Sequence, residues 1–548
     1  MSFLERIVTR LEERSTTPVV EEVCANGVAS VTGGELLAQV SAARKFLRVQ
    51  GLRPGDRCAL FAANSIGWIA IDMAMLAEGI ISVPLYSRQE PDELAVMIRD
   101  SGASHVCCGE ESLREKLRGT MPDLPASSLL AEAFETSVAN MDPREPWRLC
   151  DDGAITLIYT SGTSGEPKGV MLSAANVNHM LECTAARLNV LMAGSRKPER
   201  IFHYLPFSFA ASWVLLLSVL SRDSLLLLST DLNRLPDEIR KASPDYFLNV
   251  PALLERMRRR IEEQVSSRGG TAAALFQRAR RAAVPEAGAT TNFADTAALF
   301  ICRKFIFCKI RNAIAANLKA LICGSAPLSI ETQRVFQMIG IPVLQAYGLT
   351  ETTAICTMDD PHAVECGWVG SAIPRIEMKL GAEDEILVRG PNVFSGYWNR
   401  PEETAQALRG GWFHTGDQGE VNAHGNWRII GRLKDLIILN SGHNIAPAPI
   451  EEALLHRLPE AQQVIIVGNN RSYLAALVTG ELAGASVSAA IAEVGRGLPH
   501  YRQIRSFCIL PEPFTIANGL LTANGKLKRD AIIARFYAEI GEIYARKN

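Results

Sequence analysis

Eleven residues at positions 159–169, Tyr-Thr-Ser-Gly-Thr-Ser-Gly-Glu-Pro-Lys-Gly, constrain this chain more than any other stretch. They are small, hydroxyl-rich and glycine-rich, with one lysine, Lys168, near the end. An apolar, β-prone run precedes them at 154–158, and Val170, Met171 and Leu172 follow. The pattern predicts a loop between two strands, then a helix over 174–188 with Ser173 as its N-cap. Glycines let the backbone approach a ligand closely, and exposed N–H groups, hydroxyls and an ammonium together suit a polyphosphate. Thr160, Ser161, Gly162, Thr163, Ser164, Gly165 and Lys168 are the residues placed to cradle it. This is not the phosphate loop in which Gly-Lys-Ser/Thr opens a helix directly, because Gly169 and a strand follow Lys168. A flexible Ser/Thr/Gly linker is the competing reading, and a position between two buried-looking strands argues against it.

At 548 residues the chain exceeds one ordinary core, so several domains or subdomains are expected. Between about 20 and 150, helical and strand patterns alternate. A helix carries Val40 and Leu47, a turn spans 51–57, and a strand follows at 58–61. Residues 64–78 read as a helix and 80–85 as a buried strand. This is the rhythm of a doubly wound α/β sheet. Lys and Arg number 57 against 59 Asp and Glu, a net charge of −2 that gives no electrostatic case for nucleic acid. Twelve cysteines with no C-x-x-C pair, Cys302 and Cys308 in an apolar stretch among them, read as buried free thiols of a reducing cytosol. No H-E-x-x-H spacing supports zinc. Residues 1–14 read as a short amphipathic helix, with Phe3, Leu4, Ile7, Val8 and Leu11 on one side, rather than as a secretory signal. The longest apolar region, 214–228, contains Arg222 and Asp223, so it reads as helix, turn and strand rather than a membrane span. A cytoplasmic protein is expected, compatible with peripheral contact at a membrane.

Further polar motifs follow strand-like runs. Gly324, Ser325, Ala326 and Pro327 form a turn suited to close approach of a flat ring. Gln345, Ala346, Tyr347, Gly348, Leu349, Thr350 and Glu351 follow a strand at 341–344. Glu351 is a hard oxygen donor of the kind Mg²⁺ prefers. Residues 411–417 end in Gly416-Asp417, and 521–529 hold an Asn-Gly turn that presents Lys526.

The stretch at 159–169 resembles the phosphate loop of the adenylate-forming superfamily, which contains acyl-CoA synthetases, peptide-synthetase adenylation domains and firefly luciferase. The resemblance continues through nearly the whole chain, with its specific motifs between Tyr159 and Arg529. It implies a large amino-terminal domain of doubly wound mixed sheets over 1–432 and a small mobile α+β domain over 433–548, with Lys434 at the hinge. It implies ATP, Mg²⁺ and coenzyme A. Thr163 and Glu351 would meet the metal. Gly324, Ser325, Ala326, Gln345, Ala346, Tyr347 and Gly348 would line the adenine pocket, and Thr350 would reach phosphate. Asp417 would accept the ribose hydroxyls, Arg432 would meet ribose or phosphate, and Gly442 would lie on the pantetheine path. Lys526 matches the catalytic lysine, acting with Thr163, Lys168 and Glu351.

The Val-Pro-x-x-x-Glu segment at 250–255, the basic Ala-rich helical segment at 258–300 and Asn-Ile-Ala-Pro at 444–447 resemble the long-chain acyl-CoA synthetases. The pattern departs at Phe209, where the family usually has a histidine near the carboxylate. A pocket rebuilt for a bulky apolar acid, with Phe209, Trp213 and Val250 in its wall, is the favoured reading, and reduced activity is the other. The implied reaction is activation of a medium- or long-chain fatty acid and transfer to coenzyme A. A carrier-protein phosphopantetheine as acceptor, an aryl or branched acid as substrate, and a non-catalytic nucleotide-binding homologue are the rival readings.

Overall fold

Around the glycine-rich stretch the two anticipated strands form an antiparallel pair, Ala154–Ser161 and Pro167–Ser173. Helix Ala174–Leu191 follows, and the Ser173 hydroxyl accepts from the Asn176 amide as its N-cap. The computed structural model describes residues 2–24, 27–135, 153–161, 166–194, 198–229, 231–267, 269–283, 292–522 and 525–545.

The chain divides into two compact units. The larger comprises Met1–Met378, Val388–Phe413 and Asn422–Trp427, and the smaller Lys379–Leu387, His414–Val421 and Arg428–Asn548. The larger unit contains two mixed sheets. In the nine-stranded sheet, Val343–Tyr347, Ala320–Cys323, Tyr246–Asn249, Glu199–His203, Ser224–Leu228 and Pro18–Cys24 lie in that order and run parallel. In the seven-stranded sheet, Ala154–Ser161, Ile81–Leu85, Arg57–Phe61, His105–Cys108 and Ala126–Leu129 run parallel. Pro167–Ser173 and then Gly396–Tyr397 add antiparallel strands at one edge of it. The expected helix at 64–78 is Ile66–Ala77, and the apolar region at 214–228 divides into helix Ala210–Leu220 and strand Ser224–Leu228. No helix among the described residues is long and apolar enough to cross a membrane.

The amphipathic helix Phe3–Glu13 spends its apolar side inside the protein, where Phe3, Leu4, Ile7 and Leu11 are buried. The basic segment after residue 250 forms helices Pro251–Ser267, Gly270–Ala283, Phe293–Phe305 and Phe307–Ile314. These pack into the core that also holds Phe202, Phe247 and Leu321 of the nine-stranded sheet, and within it Phe276 meets Phe307 edge-on with centroids 6.2 Å apart. Arg258 lies 3.7 Å from Glu331, and Arg280 also pairs with Glu331, so the segment is fastened to helix Ile330–Ile339. Cys302 and Cys308 part company here: Cys302 is buried and Cys308 exposed, because they fall on different faces of consecutive helices.

The smaller unit holds a three-stranded sheet of Gln463–Val467, Leu474–Thr479 and Ile504–Leu510. Both faces are covered, so the alternation of a half-exposed strand is absent. Val464 and Ile466 join Ile450 and Leu454 of helix Ala448–Arg457, while Ile465 and Val467 join Ile532 and Ile540 on the opposite face.

His203 ends its strand fully buried, with its ring stacked on Phe207 at 5.0 Å. Burial lowers its pKa from 6.5 to about 4, weakly opposed by the Leu205 backbone. The unfolded chain therefore takes up this proton at a higher pH than the folded one. The stability linked to neutral His203 is complete above about pH 6.5 and is lost as pH falls towards about 4. Relative to a His203→Phe variant, the wild type should lose on the order of 3 kcal/mol over that window, read from urea melts at stepped pH.

Candidate active site

The register of the hairpin sets Thr160 opposite Lys168 and Ser161 opposite Pro167. Gly162, Thr163, Ser164 and Gly165 lie outside the described residues. On the outer side of Pro167–Ser173, Gly396 pairs with Met171 and Tyr397 with Val170. That pairing brings the Lys168 ammonium to 5.4 Å from the Tyr397 ring centroid. The Tyr397 hydroxyl donates to Glu351 Oε1 at 2.9 Å. Glu351 is buried in the 3₁₀ turn Thr350–Thr352. One tyrosine thus joins the loop lysine to the candidate metal carboxylate. Tyr397 is not among the candidates that the sequence names, because its role depends on a strand pairing far away in the chain.

The wall beside this cluster comes from the carboxy-terminal ends of parallel strands, where open α/β sheets bind ligands. Cys323 pairs with Gln345, and Gly324 follows. A Cβ on Gly324 would come 3.2 Å from the Ala346 carbonyl oxygen, so the missing side chain lets the two strand ends close together. Ser325, at φ +73°, and Ala326 are exposed. The Gln345 side chain is engaged by the fold, donating to Trp368 O at 3.0 Å and Gln333 Oε1 at 3.2 Å. Its backbone N–H donates to Asp359, whose carboxyl is pushed up to about 7 by burial. Ala346, Tyr347, Gly348 and Thr350 are half-buried. Thr353 and Ala354 take left-handed φ values of +52° and +89°, a strained backbone held by Asn392, which accepts from Thr353 and donates to the Ile355 carbonyl. Glu255, at the end of the Val-Pro-x-x-x-Glu segment, accepts from Ser329 at 2.6 Å and Thr332 at 2.7 Å. It therefore braces the turn that starts at Gly324.

Phe209 precedes helix Ala210–Leu220, half-buried, with its ring 5.7 Å from Tyr86. Val250 is half-buried after strand Tyr246–Asn249. Trp213 is fully enclosed and donates its indole N–H to Asp72 at 2.8 Å. Burial pushes that carboxyl up to about 6.

In the smaller unit, Arg432 Nε lies 2.8 Å from Asp417 Oδ1, and Asp417 is buried. The Thr415 hydroxyl accepts from the Asp417 amide, and His414 meets Glu385 at 2.7 Å. Lys434 sits in the 3₁₀ turn Leu433–Asp435. Lys526 is exposed on a tight turn in which the Thr522 amide donates to the Lys526 carbonyl at 2.8 Å. Close to that turn, Arg529 pairs with Glu451 and lies 3.8 Å from Asp435. Burial raises the Glu451 pKa, opposed by Arg529. Gly442 is exposed at φ +81°, with open space where a Cβ would stand.

A family profile described as AMP-binding enzyme matches residues 11–398. The chain belongs to the AMP-binding enzymes. A second profile, the AMP-binding enzyme C-terminal domain, matches residues 434–548. Among relatives in this family, the long-chain-fatty-acid–CoA ligase FadD15 of Mycobacterium bovis is 28% identical, covering 94% of this chain and 92% of the relative. The chloroplastic long-chain-fatty-acid–[acyl-carrier-protein] ligase AEE15 of Arabidopsis thaliana is 26% identical over 91% of this chain and 80% of its own. Among solved structures, O-succinylbenzoate coenzyme A synthetase from Bacillus subtilis, in complex with ATP and magnesium ion, shares the fold. Its TM-score is 0.73 at 20% identity, with 96% of this chain and 98% of that one covered.

Proposed function

We propose that this AMP-binding enzyme is an acid–thiol ligase that activates a medium- or long-chain fatty acid as its acyl-adenylate and transfers the acyl group to coenzyme A. The observation that carries the reading is the joining of Lys168 and Glu351 through Tyr397, beside the wall of Gly324 and Ala346. Likeness over almost the full length to a long-chain ligase gives the substrate class.

The first step sets a carboxylate against the α-phosphorus of ATP, with pyrophosphate leaving. Both reactants are anions, so the site must supply positive charge and fixed donors. Lys168 and the hydroxyls and amides of the loop bind the departing phosphates. Gly324, Ala346 and Tyr347 hold the adenine, while Asp417 takes the ribose hydroxyls with Arg432 beside it. Glu351 fits a magnesium ion, because it is a buried carboxylate oriented by a hydroxyl donor, and Mg²⁺ bound to nucleotide needs only one or two protein carboxylates. Thr163 is the other residue assigned to it. When bound, the metal neutralises phosphate charge. Lys526 bridges the carboxylate and the α-phosphate. The small domain, beginning at residue 433 and hinged at Lys434, then turns Lys526 away and brings Gly442 to the pantetheine path. A cytoplasmic location, compatible with peripheral contact at a membrane, goes with this reading.

Phe209 and Val250 suit an apolar acyl chain. Removing the Tyr397 hydroxyl should loosen Glu351. A Tyr397→Phe variant is expected to need about tenfold more Mg²⁺–ATP for half-maximal pyrophosphate release, with its fold intact. The main test is mass spectrometry of products formed from ATP, Mg²⁺, coenzyme A and a ladder of acids from acetate through long fatty acids to benzoates. Acyl-CoA from long fatty acids is the expected result. Acyl-adenylate without acyl-CoA would transfer the reading to a carrier-protein phosphopantetheine, the acceptor class named for the Arabidopsis relative. No product from any acid would overturn it.

A further inference from the structure

Thirteen large apolar side chains among the described residues are exposed, and four of them, Phe293, Phe300, Ile301 and Phe305, stand on the single helix Phe293–Phe305. Phe293 is 90% exposed, Phe300 70% and Phe305 58%, and no other phenylalanine among the described residues is exposed. Successive side chains advance by about 100° around a helix, so Phe293, Ala297, Phe300, Ile301 and Lys304 share one side. Asp295, Ala298 and Cys302 are buried on the opposite side. The helix therefore has two apolar faces, and only one has a core to pack on. A contiguous exposed apolar face marks an interaction surface.

Charge indicates what covers it. Residues 293–314 carry four basic side chains, Arg303, Lys304, Lys309 and Arg311, against one acid, the buried Asp295. All four cations are exposed, and Lys304 Nζ stands 5.6 Å from the Phe305 ring centroid. Phenylalanines flanked by cations suit a helix lying in the plane of a bilayer interface. The rings sink below the headgroups while the long basic side chains reach lipid phosphates. A second copy suits it less well, since a two-fold contact would set Lys304 and Arg303 against their own copies. The amphipathic helix Phe3–Glu13 cannot serve, because its apolar side is buried.

We infer that the exposed face of helix Phe293–Phe305 docks this protein on anionic lipid bilayers. The surface stands on its own geometry. Its purpose rests on the fatty-acid reading above, because long acids partition into bilayers and a docked enzyme meets them there.

The test is co-sedimentation of the full chain with vesicles of phosphatidylcholine, alone and mixed with phosphatidylglycerol. The wild type should bind the mixed vesicles, more weakly as salt rises. A Phe293→Ser/Phe300→Ser/Ile301→Ser variant should lose at least about tenfold in partitioning. An Arg303→Glu/Lys304→Glu variant should lose the preference for phosphatidylglycerol. Octanoate turnover without vesicles should be unchanged in both, while turnover of palmitate supplied in vesicles should fall. Failure of the wild type to bind any vesicle would overturn the assignment. So would equal binding by the triple variant, or a solution dimer that the triple variant abolishes and vesicles do not compete. Vesicle binding by a wild type that makes no acyl-CoA would retire the ligase reading and leave the docking surface standing.

Discussion

Replacing Lys526 with alanine is expected to slow acyl-adenylate formation by a hundredfold or more, on the order of the cost of deleting one charge-stabilising donor at a reacting centre. Thioester formation from preformed acyl-adenylate should stay within about threefold of wild type. The asymmetry follows from the chemistry. The first half-reaction drives a carboxylate onto the α-phosphorus of a polyanionic phosphoanhydride, and a missing cation leaves that repulsion uncompensated. The second sets a thiolate against a mixed anhydride whose leaving group, AMP, is already good. The substitution should spare the fold. The turn is closed by the Thr522 amide on the Lys526 carbonyl, by the Lys526 amide on the Thr522 hydroxyl at 3.1 Å, and by a bridge between Leu521 and Leu527. None of these uses the lysine side chain. ATP–pyrophosphate exchange reads the first half-reaction, and release of acyl-CoA from synthetic acyl-adenylate reads the second. An equal fall in both would remove Lys526 from its assigned role.

Gly348→Ala should be comparably severe, through sterics rather than charge. A Cβ there would come 2.2 Å from the Ala354 carbonyl oxygen and 2.6 Å from Ile355 Cα. Both are backbone atoms, so no side chain can rotate aside. The opposing segment already carries Thr353 and Ala354 at left-handed φ and has little freedom to yield. Overpacking of this kind costs about 1–3 kcal/mol of stability. The larger effect is on geometry, because Tyr347, Thr350 and Glu351 lie within three residues of the clash. A displacement of about 1 Å at a reacting site costs on the order of a hundredfold, so kcat/KM for ATP should fall by that much. Gly425→Ala is the control. Gly425 has φ +80° but open space around it, so alanine there bears only the conformational cost of about 1–2 kcal/mol. If the two variants lose activity equally, crowding at Gly348 is not the cause.

Local signals were legible in the chain. Ser173 as an N-cap, the strands either side of the glycine-rich stretch, and the helix at 64–78 depend on neighbours in sequence, and the structure has them where expected. Strand Ile504–Leu510 was not anticipated, since its placement depends on pairing in parallel with Leu474–Thr479. Tyr397 is the instructive case at the site. Its contact with Glu351 exists only because Gly396–Tyr397 adds an edge strand to Pro167–Ser173. Trp213 shows the same limit. An apolar helix beside Phe209 does not disclose which residue turns inwards, and Asp72, distant in sequence, takes the indole N–H. The exposed phenylalanines were equally hidden, because an apolar residue does not state which side of its helix meets the core.

Glu331 bears on the exchange of parts between AMP-binding enzymes. It receives Arg258 and Arg280 from the helices after residue 250, and Glu255 grips Ser329 and Thr332 from the same side. Anyone shortening this chain by deleting those helices, or grafting them onto a smaller relative, would move one half of a clasp. A host lacking the hydroxyl donors at the equivalents of 329 and 332 and the carboxylate at 331 would leave Glu255 without its two donors and Arg258 and Arg280 with only the acids of their own helices, beside the equivalent of the turn at Gly324. Those helices and helix Ile330–Ile339 are therefore one transplantable part, and a chimera boundary belongs beyond residue 340 rather than at 314.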